Sequence, residues 1–306
     1  MNPIYHIDYA YLARRITPRR MRWFTFAIIG VSLISAIYGL ILVIFKEDDL
    51  YTLTDSPFYT VLAYFTLILG LVAILLHFRT ILGAVMLASG SVVNRRTISW
   101  DHVILTGISS RQMVWGKWWA VIRLTWRDFF WLGILRGSLI VMAGVFFMPR
   151  TDNIFYADDP VTILAPFQII SAFGLMFLLT MVNCLFTGAA GVVGSLNNRI
   201  TGNGIRIIPV IITALASVSL VLAHLMEHGA IDVEAKNIPL MVLAYTMPTM
   251  LDNGSFVSSV LANPRDVGYA PLYFGVLIFS LVVYLWWTFA LLFMGEVIMR
   301  LQGGND

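Results

Sequence analysis

The sequence predicts an all-α, polytopic membrane protein with six transmembrane helices, and three observations carry that prediction. First, 59% of the 306 residues are hydrophobic and only 12% are charged, giving a mean hydropathy of +0.82. That proportion exceeds what a soluble domain can bury. Second, the apolar residues fall into runs long enough to cross a hydrocarbon core of about 30 Å at about 1.5 Å per residue. Third, the basic residues gather on alternate connections between those runs, as orientation in a bilayer requires.

In chain order, residues 1–22 hold Arg14, Arg15, Arg19, Arg20 and Arg22 among Ile4, Tyr5, Tyr9, Tyr11 and Leu12. They predict a short interfacial helix to about Ile16, broken by Pro18. The spans are expected at about 23–45, 58–76, 129–148, 163–187, 207–226 and 272–294. The continuation of the second, 77–93, is rich in small residues and is expected to carry a helix down to the charges at Arg95 and Arg96. The apolar piece 238–251 has two prolines and fourteen residues, too few to span, and is expected to be re-entrant or interfacial on the outer side. Six spans put both termini on one side. With that side cytoplasmic, only Lys46, Arg150, Lys236 and Arg265 lie outside and Arg136 lies within a span, while every other Lys and Arg is inside. The expected location is the plasma (inner) membrane with both ends cytoplasmic.

The net charge of +3 and pI near 9.0 follow from this orientation and do not call for a nucleic-acid partner. The one cysteine, Cys184, lies in an apolar run and cannot form an intrachain disulfide. The polar first residues precede an apolar run too long for a signal peptide, and no small-residue cleavage site follows it, so that run is expected to stay as an anchor. The whole chain, 1–306, is expected to be one transmembrane domain, without a separate soluble domain or an internal repeat.

The connection 94–127 is the longest basic, non-spanning stretch. It opens with a short amphipathic run, Trp100 to Leu105, turns at Thr106-Gly107, and continues in a second helical run from Ser110 to Trp126. At 100° per residue, Trp115, Trp118, Trp119, Ile122 and Trp126 share one side of that run. Lys117, Arg123 and Arg127 fall opposite, with Arg111 out of place. A Trp face against a basic face is the pattern of a helix lying in the membrane interface. An ordinary loop with an aromatic belt at the start of a span would show the same periodicity.

Motifs for chemistry are sparse. Gly116-Lys117 is the only Gly-Lys pair; Trp118 follows it where a P-loop needs Ser or Thr, so this chain is expected to bind no nucleotide. His224-Leu225-Met226-Glu227-His228 matches H-x-x-E-H, but it straddles the outer end of the fifth span without an obvious third ligand, and polar residues ending a helix account for it better. Arg136, about a turn and a half inside the third span, costs about 2.5–3.5 kcal/mol at a bilayer centre and is a functional candidate for that reason. Snorkelling, or pairing with Glu296 near the same end of the sixth span, explains it structurally. Gly188-Ala189-Ala190-Gly191 with Gly194, and Gly83-Ala84 with Ala88 and Gly90, offer close packing within the chain or between subunits. Asn253-Gly254-Ser255 is a glycosylation sequon, meaningful only in a secretory pathway. No residue is expected to act in covalent catalysis, and no cofactor or metal is expected.

One resemblance joins these pieces. Trp100-Asp101, then Ile104-Leu105-Thr106-Gly107-Ile108-Ser109, Met113-Val114 and Gly116-Lys117, resembles the signature of ABC-2-type permeases, the membrane subunits of ABC exporters. The opening Asn2-Pro3-Ile4, the arginines before the first span, the six spans and the short apolar hairpin before the last are similar to that family too. The chain departs from it at Arg95-Arg96 and Ile98-Ser99, where acidic residues and Gly-Thr are usual, and at His6-Ile7-Asp8, where Arg-Glu often stands. The resemblance implies that Trp100, Asp101, Val103, Ile104, Leu105, Thr106, Gly107, Ser109 and Arg111 form a cytoplasmic coupling helix for a separate ABC ATPase subunit. It also implies a second permease subunit, the same or a close relative, and a permease that exports by alternating access. The low intramembrane charge favours a lipidic or amphipathic cargo. A non-transporting anchor or scaffold subunit of a larger membrane complex is the alternative.

Overall fold

A computed structural model describes residues 3–13, 20–45, 57–89, 108–146, 166–196, 203–215 and 270–302. These residues form seven helices and no strand. They are α1 (Pro3–Ala13), α2 (Arg20–Phe45), α3 (Pro57–Ser89), α4 (Ser110–Phe146), α5 (Pro166–Leu196), α6 (Asn203–Leu215) and α7 (Ala270–Gln302). Three of them contain stretches long and apolar enough to cross a membrane: Ile68–Ser89, Phe173–Leu196 and Ser280–Leu301. The protein is a helical membrane protein. The segments 94–107, 224–228 and 238–251, and the sequon at 253, lie outside the described residues.

The helix starts follow local chemistry. α1, α3 and α5 each begin on a proline, whose fixed φ suits the first turn and whose missing N–H would have no partner there anyway. α4 begins with a reciprocal cap. The Gln112 N–H donates to Ser109 Oγ and the Ser109 N–H donates to Gln112 Oε1, both at 3.2 Å, which satisfies two donors at the helix start. From that cap α4 runs 37 residues without a break, about 55 Å. The helical run expected from Ser110 and the span expected after it are thus one rod.

α5 is the centre of the bundle: 72% of its apolar stretch is buried, against 33% in α3 and 28% in α7. It packs most extensively on α4, then on α7 and α3, while α1, α2 and α3 also lie against α4. Glycines make the close approaches. A Cβ at Gly191 would lie 2.6 Å from Ala88 Cβ and 3.4 Å from Val85 Cα, so here the backbones of α3 and α5 nearly touch. The expected small-residue packing is therefore realised within the chain at Gly191 and Ala88, whereas Gly83 faces open space. Higher up, Gly133 and Gly137 of α4 receive the rings of Phe177 and Phe173. Hydroxyls inside the helices mostly bond to the carbonyl one turn back, as Thr80 does to Leu76 and Thr288 to Tyr284, which satisfies them without a partner helix.

Candidate functional site

Two groups of buried polar side chains stand out, one at the base of α4 and one along α5. The base is built by α1. Its buried residues Ile4, Asp8 and Leu12 recur every four positions and so form one stripe, which packs on α4. Leu12 enters the same core cluster as Met113, Val114 and Trp118. Arg123 of α4 lies over the Tyr9 ring at 5.7 Å, a cation–π contact that pins α1 from its outer edge.

Beneath α1 lies Lys117, whose side chain is 1% exposed. Its ammonium has no hydrogen-bond partner among the described residues. Burial pushes its pKa down from 10.5 to about 8, partly opposed by the nearby Asp8 carboxylate. The helical wheel puts Lys117 on the basic face with Arg123 and Arg127. Those two arginines are exposed, and Lys117 is not, because α1 covers its part of the face. The Trp side divides in the same way: Trp119 and Trp126 are exposed while Trp118 is buried, its Nε1–H donating to the Leu185 carbonyl at 3.1 Å.

Across α4 from α1, Trp115 Nε1–H donates to Glu296 Oε1 at 2.7 Å. The Trp115 ring lies against Phe289, and the Arg111 guanidinium sits 5.9 Å from its centre. Arg136, the other intramembrane candidate, donates to Thr180 Oγ1 at 3.1 Å. Trp115 and Arg136 are 21 residues apart on one helix, about 31 Å, so the Glu296 carboxylate bound at Trp115 is far from Arg136. The structure does not bring the expected Arg136–Glu296 pair together.

The second group is a polar stripe on α5: Thr180, Asn183, Cys184 and Thr187, all buried and spaced to share one face. His77 Nε2 of α3 meets Asn183 Nδ2 at 3.2 Å, and Thr187 Oγ1–H donates to Asn183 Oδ1 at 3.2 Å. Thr125 of α4 and Cys184 touch at 3.7 Å. Of the residues expected to couple to an ATPase, Trp100, Asp101, Val103, Ile104, Leu105, Thr106 and Gly107 lie outside the described residues, Ser109 caps α4, and Arg111 is exposed on its first turn. Among the described residues no three His, Cys, Asp or Glu side chains gather as metal ligands. The reading from sequence alone missed the burial of Lys117 near Asp8 and the His77–Asn183 contact. Its available signal was the spacing of Asp8 midway between Ile4 and Leu12, which places a carboxylate on the buried stripe of an interfacial helix.

Comparison with protein-family models, with curated proteins and with solved structures finds no match to this chain.

Proposed function

We propose that this protein is the permease subunit of an ATP-driven transporter of the ABC-2 type, exporting a lipidic or amphipathic substrate. A separate cytoplasmic ATPase docks on Trp100–Ser110, and a second permease subunit completes the pore. The six spans of the sequence reading, with both termini cytoplasmic in the plasma membrane, are part of this proposal. One observation supports it beyond the resemblance. The docking stretch ends on the cap of α4, and α4 is a single rod through the bundle, clasped at its foot by α1 and α7. Force applied at residues 100–110 would be delivered to a rigid element in contact with α1, α2, α3, α5 and α7. In this mechanism nucleotide closes the ATPase dimer, the coupling helix moves, and α4 carries the motion to the spans.

The test is Trp100→Ala with Leu105→Ala, read by co-purification of the ATPase and by its membrane-stimulated turnover. The pair should express normally, since neither residue lies in a span, and should lose roughly tenfold or more in ATPase affinity if these are apolar anchors. Normal expression with a fully bound and stimulated ATPase would overturn the docking role and favour a scaffold subunit.

A further inference from the structure

The side-chain contacts along α5 align its neighbours in height. His77 and Thr125 both touch the adjacent pair Asn183 and Cys184, so they share one level. Arg79 is two residues from His77, and Arg123 and Arg127 are each two from Thr125, a rise of about 3 Å. All three arginines are exposed. Trp126 is exposed beside them, and the Trp287 ring lies 5.9 Å from Phe186, three residues along α5 from Asn183. Trp286, 72% exposed, is next to it. Three helices thus carry exposed cations and indoles at a common height.

Measured from this girdle, the helices extend one membrane thickness in one direction. Arg127 to Phe146 covers about 29 Å, Arg79 back to Pro57 about 33 Å, and Asn183 back to Pro166 about 26 Å, against a hydrocarbon core of about 30 Å. Among the described residues of α3, α4, α5 and α7, the charges beyond Arg127 on that side are Asp128, next to it at the girdle, and Arg136, which is buried against Thr180. Toward α1, by contrast, lie Arg111, Lys117, Glu296 and Arg300. The helices continue past the girdle on that side, by about 15 Å in α3 and about 20 Å in α4.

We propose that Arg79, Arg123 and Arg127 form a binding collar for acidic phospholipid headgroups, at a membrane surface that crosses the bundle at the His77–Asn183 level. Guanidinium groups suit phosphate by paired hydrogen bonds. Exposed indoles at the same height fix the bundle vertically, as aromatic belts do. Asp128 is the only acid on α3 or α4, so the collar keeps a net positive charge. The proposal requires only that the protein spans a membrane, and its failure would leave the transport reading untouched.

The experiment is lipid selectivity of the full-length protein reconstituted in phosphatidylcholine bilayers. The electron spin resonance spectrum of a trace spin-labelled lipid resolves the fraction immobilised at the protein. Spin-labelled phosphatidylglycerol should be preferred over spin-labelled phosphatidylcholine by roughly fivefold, the effect of about one well-placed arginine at a lipid surface. The triple change Arg79→Gln, Arg123→Gln, Arg127→Gln should bring the two lipids close to parity, and Arg→Lys at the same positions should retain a preference. Arg111→Gln, about 18 Å below the collar on the same helix, should change nothing. Equal binding of both lipids by the unaltered protein, or selectivity lost with Arg111 and kept in the triple variant, would overturn the proposal. Displacement of the acidic lipid by excess inorganic phosphate would assign the arginines to a soluble anion and overturn it also.

Discussion

The polar stripe of α5 and the clasp at the base of α4 are both buried, but they treat their polar groups differently. Along the stripe, amide, imidazole, hydroxyl and thiol meet one another: Asn183 with His77 and Thr187, Cys184 with Thr125, Thr180 with Arg136. At the clasp an ammonium is enclosed without a hydrogen-bond partner among the described residues, with Asp8 as its neighbouring charge. Satisfied buried networks fix one arrangement of helices. An under-satisfied buried charge makes its arrangement easier to leave. The middle of the bundle is therefore built to hold still, and the foot of α4, where α1 docks, is the part with a reason to move.

The largest expected effect comes from breaking the still part. Gly191→Leu would drive a side chain into the Ala88 side chain and Val85 backbone, separating α3 from α5 a few turns from the His77–Asn183 contact. Overpacking against backbone destabilises by about 3 kcal/mol or more, so the variant should lose most of its monodisperse yield on size exclusion in detergent. Gly174→Ala, whose added Cβ meets nothing within 4 Å, should run like the unaltered protein.

The second prediction concerns the clasp and is a matter of pH. The folded-state pKa of Lys117, about 8, lies below its ordinary 10.5. Between those values the unfolded chain holds a proton that the folded chain has released, so stability rises with pH across that window. Below about pH 8 the lysine is charged in both states and the full penalty of burying it is present, on the order of 3 kcal/mol at about 1.4 kcal/mol per unit. Thermal unfolding in detergent should move to higher temperature from pH 8 to 10. Lys117→Met, which fills the same space without a charge, should remove that rise. A slope unchanged in the methionine variant would mean that another group carries it.

These contrasts show how far the sequence could be read. The all-helical class and the membrane location follow from composition and run length, which need no knowledge of packing. The helical run after Ser109 was visible for the same reason. The burial of Lys117 was not, because a helical wheel sorts residues by direction and cannot tell which neighbour arrives from that direction. Only the docking of Ile4, Asp8 and Leu12 decides that Lys117 is inside while Arg123 and Arg127 on the same face stay out. Arg136 and Glu296 looked like partners because both were assigned to the same membrane end; Glu296 is bound at Trp115 and Arg136 at Thr180, and Trp115 and Arg136 lie about 31 Å apart along α4. The polar stripe of α5 was written in plain spacing, Thr180, Asn183, Cys184, Thr187, but small polar residues are common in membrane helices and acquire meaning only when His77 and Thr125 face them.

The smallest effect separates two sources of rigidity at the foot of α4. Ser109→Ala removes the hydroxyl that accepts from the Gln112 N–H and should cost about 1 kcal/mol of local stability. If α1 and α7 hold the base, the loss stays in the first turn. Amide exchange should then quicken at Gln112 and little beyond, since the Met113 N–H still donates to the Ser109 carbonyl at 3.1 Å. The melting temperature should scarcely change, because Trp115 and Trp118 remain tied to Glu296 and Leu185. Exchange that spreads as far as Lys117 and Trp118 would show that the cap, and not the clasp, keeps the rod straight where it leaves the docking stretch. The base of α4 would then soften by losing its first turn, with α1 following, instead of α1 releasing from an intact helix.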